Sequence, residues 1–248
     1  MSPYGIIVPT LAEADILIRS ISEREEVIIQ NKTFYKGLLN DESVILCMCG
    51  IGKTNAAHGT TLLIEKFQPA FICMIGVAGA YPSAGLAIGD IVGAEREIYG
   101  DEGVVLGSGL ITMEKIGLPL AVTGTVSCFN EFPLHVPEQW RDLRHRGTFI
   151  TVSACTGILT RGKELEEKFG AICENMEGAS MAHVCVLNDI QAIEIRGVSN
   201  IIEDREGKPL DRSAIAEAAE KVQNFFLQNF AQMQGQINPS VPARLPVP

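Results

Sequence analysis

Apolar residues along the chain fall into short unbroken runs, separated by stretches in which they recur every three or four positions. Residues 4–9 (YGIIVP) form such a run and lead into residues 11–21, where the spacing is helical, so a strand feeding a helix is predicted. Residues 27–30, 33–38 and 43–49 read as short strands joined by turns at Asn31-Lys32 and Asn40-Asp41. The glycine turn Gly50-Ile51-Gly52 opens residues 53–67, whose Ala56, Ala57, Thr60, Leu63 and Ile64 mark one helix face. Pro69 stops that helix, and residues 70–75 form the next strand. Because this last strand is wholly apolar, it matches a parallel strand covered on both faces.

Residues 76–89 read as a Gly/Ala loop, residues 90–99 and 120–128 as strand regions, and residues 137–146 and 162–169 as amphipathic helices. A strand at 171–173, a helix at 176–187, a strand at 191–198 and a helix at 211–232 complete an alternating α/β pattern. No linker or internal repeat divides the chain. The expected fold is one α/β domain over residues 1–233, a mixed central β-sheet flanked by helices on both faces. A Pro-rich tail at residues 234–248 is expected to be extended, since Pro239, Pro242, Pro246 and Pro248 exclude a helix.

Composition then narrows the function classes. Lys and Arg total 20 against 30 Asp and Glu, a formal charge of −10, which argues against nucleic acid or anionic lipid as a partner. Hydrophobic residues make up 46% and charged residues 20%, enough apolar material for a sizeable core. The seven cysteines are odd in number and mostly sit in apolar runs, as buried thiols of a reducing cytoplasm do. Cys47-x-Cys49 has no second pair at ligand spacing, so neither a metal site nor a cofactor is expected. The start MSPYGIIVPT lacks a secretory n-region, and no apolar stretch reaches the roughly 18 residues of a membrane span.

Several motifs carry possible chemistry. Gly50-Ile51-Gly52-Lys53-Thr54 ends like a phosphate-binding P-loop, but Cys47 stands where the first glycine is needed; a dinucleotide fingerprint fails at Asn55. What remains is a glycine turn at a strand end, suited to an oxygen-rich ligand and common without one. Gly76–Gly79 follows a buried strand, where small residues admit either a ligand or tight packing. In Asn175-Met176-Glu177, Asn175 and Glu177 fit a helix start; alternatively, Glu177 is a carboxylate able to accept from two ribose hydroxyls. Glu13 reads by itself as a solvated helix-start acid, and Ser199-Asn200 as a turn or cap.

Taken in order, GIGKTNAAHGTTLLIEKFQP, GVAGAYPSAGLAIGDIV and ENMEGASMAHVC resemble segments of the nucleoside phosphorylase/nucleosidase superfamily, over nearly the whole chain up to Phe230. Within it, AGAYPSAGLAIGDIVGAEREIYGDEGV and EIRGVSN look most like the futalosine hydrolases, which release hypoxanthine from futalosine in menaquinone biosynthesis. This resemblance implies that Glu13 activates water and that Met176 and Glu177 meet the ribose. It further implies that Asn200 meets the purine imidazole edge, that Val77, Ala78 and Gly79 wall the sugar, and that Thr156 and Gly157 lie near the base. The stretch after Asn200, Ile201-Ile202-Glu203-Asp204-Arg205, departs from the usual futalosine-type pattern.

The expected activity is therefore hydrolysis of a purine nucleoside by a homodimer or larger homo-oligomer. Adenine-cleaving relatives carry Asp in place of Asn200, whose amide suits the two acceptors of a 6-oxopurine. Glu13 in the first loop disfavours phosphate and so favours hydrolysis over phosphorolysis. Methylthioadenosine/S-adenosylhomocysteine nucleosidase, purine nucleoside phosphorylase and a silent nucleoside-binding protein remain as alternatives. No basic residue is evident to answer an anionic substrate.

Overall fold

The computed structural model describes residues 2–124, 126–140 and 142–233 of the protein, so the expected tail at 234–248 lies outside the described residues. The first half of the chain runs β1 (Tyr4–Val8), α1 (Leu11–Ser20), β2 (Ser22–Ile29), β3 (Lys32–Leu39), β4 (Glu42–Met48), α2 (Lys53–Phe67), β5 (Phe71–Ala80) and β6 (Ile91–Tyr99). It continues through a hairpin of β7 (Gly103–Leu106) and β8 (Gly109–Thr112), a short α3 (Met113–Ile116), a second hairpin of β9 (Ala121–Thr123) and β10 (Val126–Cys128), and β11 (Glu131–Pro133). The remainder is β12 (His145–Thr151), α4 (Leu159–Phe169), β13 (Ala171–Asn175), α5 (Gly178–Leu187), β14 (Ala192–Ile201) and α6 (Arg212–Asn229).

The expected α/β architecture is present: a mixed ten-stranded sheet in which β1 pairs in parallel with both β4 and β5. Alternation along β1 sorts its side chains onto two layers. Ile6 and Val8 join Leu17 of α1 and Val222 and Phe226 of α6 on one face; Ile7 joins Leu63 of α2 and Met181 and Cys185 of α5 on the other. β5 is long enough to pair in parallel with β14 and, at its end, antiparallel with β13. Through β14–β6, β6–β12 and β12–β13 these strands close into a ring. Small residues, Ala78, Ala80 and Ala94, fill it together with Phe149 and Val198.

Long-range pairing overrides the local pattern in several places. Residues 76–80 are not loop but the end of β5, because β14 continues beside them as far as Ile201 opposite Ala80. For the same reason Ser199 and Asn200 are strand residues rather than a turn. The expected strand at 120–128 is the separate β9–β10 hairpin. The expected helix at 137–146 is absent from its described residues: the guanidinium of Arg146, at the start of β12, donates to the carbonyls of Pro137, Trp140 and Leu143, holding an irregular segment. Its apolar periodicity instead records a plug, Trp140 and Leu143, seated against α6, where the indole N–H donates to Asn229 O at 3.2 Å.

Because Trp140 is fully buried and meets Phe225 edge-on, Trp140→Ala is expected to lower folding stability by about 3–5 kcal/mol. Denaturant unfolding followed by far-ultraviolet circular dichroism checks this; a loss below about 1 kcal/mol contradicts a core role.

Candidate active site

Six chain segments converge where β1, β4, β5, β12, β13 and β14 end, around a cavity of about 310 Å³. After β1, α1 begins so that Glu13 sits in its first turn, 5% exposed, facing inward rather than to solvent. Its Oε2 accepts from Thr10 Oγ1 at 2.5 Å and its Oε1 from the Val77 N–H at 2.9 Å. Burial raises the Glu13 carboxyl above the ordinary range, with Glu177 adding to the rise and Thr10, Arg196 and the Val77 amide opposing it.

The turn after β4 explains its two glycines: both Gly50 and Gly52 take positive φ, 93° and 94°. Lys32 Nζ ties the turn by donating to Cys49 O and to Asn55 Oδ1, and the Gly52 N–H then donates to Glu177 Oε1 at 2.9 Å. Lys53, the lysine of the P-loop-like run, points elsewhere, paired with Asp101 and with Glu102 over the Tyr99 ring. The turn thus orients a carboxylate. At the start of α5, Asn175 Oδ1 accepts from the N–H groups of Glu177 and Gly178 at 2.9 and 2.8 Å, which fixes the chain direction that aims Glu177 into the cavity.

Beneath the cavity lies Arg196, fully buried in β14. Its Nε donates to Glu194 Oε1 at 2.7 Å, and its Nη1 to Glu177 Oε2 and to Val77 O, both at 3.3 Å. Burial opposes its charge, but Glu194, Glu177 and Glu13 outweigh that penalty and hold it protonated more firmly than an ordinary arginine. Gly76 makes this approach possible: a Cβ there would stand 2.5 Å from Arg196 Nη1 and 2.9 Å from Glu13 Oε1. Gly79 does the same for Asn200, whose Nδ2 lies 2.9 Å from the position of a Cβ.

A family model described as the Phosphorylase superfamily matches residues 3–232. The chain belongs to this superfamily. Among curated relatives, a 5'-methylthioadenosine/S-adenosylhomocysteine nucleosidase of Staphylococcus epidermidis is 29% identical over 219 residues, covering 86% of this chain and 95% of the relative. One of Listeria innocua is 31% identical over 201 residues, 79% of this chain and 85% of the relative. The solved structure of such a nucleosidase from Neisseria meningitidis, in complex with methylthio-immucillin-A, superposes with a TM-score of 0.79 at 19% identity, covering 94% of this chain and all of that one. The expectation of futalosine as substrate, with hypoxanthine release and a place in menaquinone biosynthesis, is overturned, because these relatives and neighbours are methylthioadenosine/S-adenosylhomocysteine nucleosidases.

In this superfamily member Glu13, Val77, Ala78, Gly79, Thr156, Met176, Glu177 and Asn200 all line one cavity. Thr156 is committed elsewhere, its N–H and hydroxyl donating to Glu174 at 2.7 and 2.6 Å. Gly157 lies behind the wall, its carbonyl accepting the Arg205 N–H at 3.0 Å. Arg205 itself lines the cavity and forms no ion pair among the described residues, so a cation does stand beside the acids. Cys155 is also on the wall, its thiol pushed up by burial. Sequence reasoning missed Arg196 altogether. The available signal was an arginine inside an otherwise apolar strand, a position that demands a buried partner. No helix among the described residues is long and apolar enough to cross a membrane.

A carboxyl whose folded-state pKa is raised contributes stability present at low pH and lost as pH rises through that value. The stability of Glu13→Gln relative to the unaltered protein is therefore expected to increase from acid toward neutral pH, as read from thermal midpoints. A difference that does not change with pH contradicts the raised value.

Proposed function

We propose that the protein is a nucleosidase that hydrolyses the N-ribosidic bond of 5'-methylthioadenosine or S-adenosylhomocysteine. The observation that carries this reading is that two buried carboxylates line one cavity of about 310 Å³, Glu177 paired with the Arg196 guanidinium and Glu13 held by Thr10 and the Val77 amide. In this reading Glu177, with Met176 beside it, accepts from the ribose hydroxyls and stabilises positive charge developing on the sugar. Glu13 takes a proton from water as the oxygen attacks the anomeric carbon. The electron pair of the broken C–N bond leaves with the purine, which takes up a proton from solvent, and Glu13 returns its own. Its raised pKa makes it a stronger base than an ordinary glutamate, at the expense of being ionised over a narrower pH range.

Asn200 offers an N–H donor to purine N7 and a carbonyl acceptor to the 6-amino group, the pairing by which an amide side chain reads adenine. Ser199 Oγ lies 3.0 Å from Asn200 Oδ1 and 3.1 Å from Ala78 O, with one hydroxyl proton for the two acceptors. Val77, Ala78 and Gly79 form the sugar wall, with Thr156 on the base side and Gly157 behind it. Pro9, Ile51, Leu210 and Ile215 give the rest of the cavity an apolar lining suited to a thioether substituent. We place the enzyme in the cytoplasm, supported by seven free cysteines, and as a homo-oligomer, supported by the apolar Val104, Val105 and Leu106 exposed on the β7–β8 hairpin.

Incubation with methylthioadenosine in phosphate-free buffer is expected to release adenine, measured by chromatography; strict dependence on phosphate, or no release, contradicts the proposal. Glu177→Gln keeps the shape but removes the charge, and is expected to lower kcat by on the order of 10²–10³. Asn200→Asp, able to pass a proton to N7, is expected to raise kcat for methylthioadenosine by on the order of 10². An unchanged or lower kcat there contradicts the placement of Asn200 at N7.

A further inference from the structure

Below the groups used in that reaction, two more carboxyls are wholly buried, Glu97 on β6 and Glu194 on β14. Burying an unpaired carboxylate is costly, and hydrolysis as written gives neither a task. Glu97 is well supplied with donors: Asn175 Nδ2 reaches its Oε1 at 2.5 Å and Thr151 Oγ1 its Oε2 at 2.8 Å. Glu194 uses Oε1 for Arg196, but its Oε2 is buried with no donor among the described residues. A Cβ on Gly178 would lie 2.1 Å from Glu97 Oε1 and 2.3 Å from Glu194 Oε2, so the two carboxyls sit side by side over this glycine at the start of α5. Two adjoining buried carboxylates do not both stay ionised; the donor that Glu194 Oε2 lacks is a proton on its neighbour.

We propose that Glu97 and Glu194 share one proton and together act as the positioning pair for Arg196. Burial and the facing Glu194 charge hold the Glu97 carboxyl well above its usual range, and burial raises Glu194 against the pull of Arg196. With one proton the pair carries a single negative charge and engages only the Nε edge of the guanidinium, which leaves Nη1 for Glu177. Loss of that proton at alkaline pH adds a second charge, draws the guanidinium toward the pair and loosens its hold on Glu177. The other titratable or charged groups acting on the pair are Arg196, Cys73 of β5, Cys173 of β13, Tyr99 of β6, Glu177 before α5 and, through Arg196, Glu13 of α1. Of these, Arg196 is the one cation. The positioning role rests on the nucleosidase reading; the shared proton does not.

The test combines a spectroscopic and a kinetic readout on the full chain. Infrared spectra at neutral pH are expected to show a protonated-carboxyl stretch that weakens in Glu97→Gln, whose amide supplies a permanent donor in place of the proton. In the same variant the decline of kcat at alkaline pH is expected to disappear. Glu194→Gln is expected to lose about 100-fold in kcat with little change in KM, because it frees Arg196 to shift. An infrared band of equal strength in the unaltered protein and Glu97→Gln overturns the shared proton, whatever the activity. A weakened band with an unaltered alkaline decline overturns the positioning role. A weakened band in a protein that hydrolyses no nucleoside overturns the nucleosidase reading, and with it the positioning role, while the proton pair stands.

Discussion

The architecture depends on one interaction, a fully buried Arg196 that serves Glu194 and Glu177 directly and lies against Glu13 across Gly76. Removing one partner from a buried ion pair costs about 3–5 kcal/mol, because the charge left behind is neither solvated nor compensated. Four buried carboxyls around a single guanidinium carry more negative charge than it can balance. Burial raises the pKa values of Glu13, Glu97 and Glu194, and a neighbouring carboxylate adds to the rise in each, against the pull of Arg196. The glycines are part of the same constraint: Gly76 and Gly178 stand where a methyl group would collide with charged atoms, so the cluster forms only because the backbone leaves room for it.

This arrangement also connects fold to chemistry. Closure of β5, β14, β6, β12 and β13 into a ring brings Glu97 and Glu194, far apart in sequence, under one helix start. From there the contacts lead outward through Arg196 and Glu177 to the cavity wall. The Gly50–Gly52 turn, held by Lys32, closes the other side by donating its amide to Glu177. Glu177 is thereby fixed from the helix start, the turn and the guanidinium at once. Such preorganisation is what stabilising a short-lived cationic sugar requires.

Much of this was legible in the chain itself. The strand–helix–strand unit with α2 over residues 53–67 follows directly from apolar spacing and Pro69, and Glu13, Glu177 and Asn200 are polar groups at strand ends, where open α/β sheets bind ligands. What escaped was decided by distant pairing. Residues 76–80 carry loop-like glycines yet are strand because β14 runs beside them, and Trp140 and Leu143 mimic a helical stripe while plugging the contact with α6. Arg196 and Glu194 look like interruptions of an apolar strand until the ring places Glu97 and Glu177 around them. Substrate identity was the least legible feature, since an amide at residue 200 is chemically compatible with either purine edge.

The central claim is that the carboxylates gathered on Arg196 form a sugar site. It is tested most directly by a crystal structure of the protein with a non-hydrolysable 5'-thio-substituted adenine nucleoside. In that complex the two ribose hydroxyls are expected within hydrogen-bond distance of Glu177, a water against Glu13, and the purine N7 facing Asn200. A nucleoside bound elsewhere, or one whose sugar hydroxyls turn away from Glu177, would contradict it.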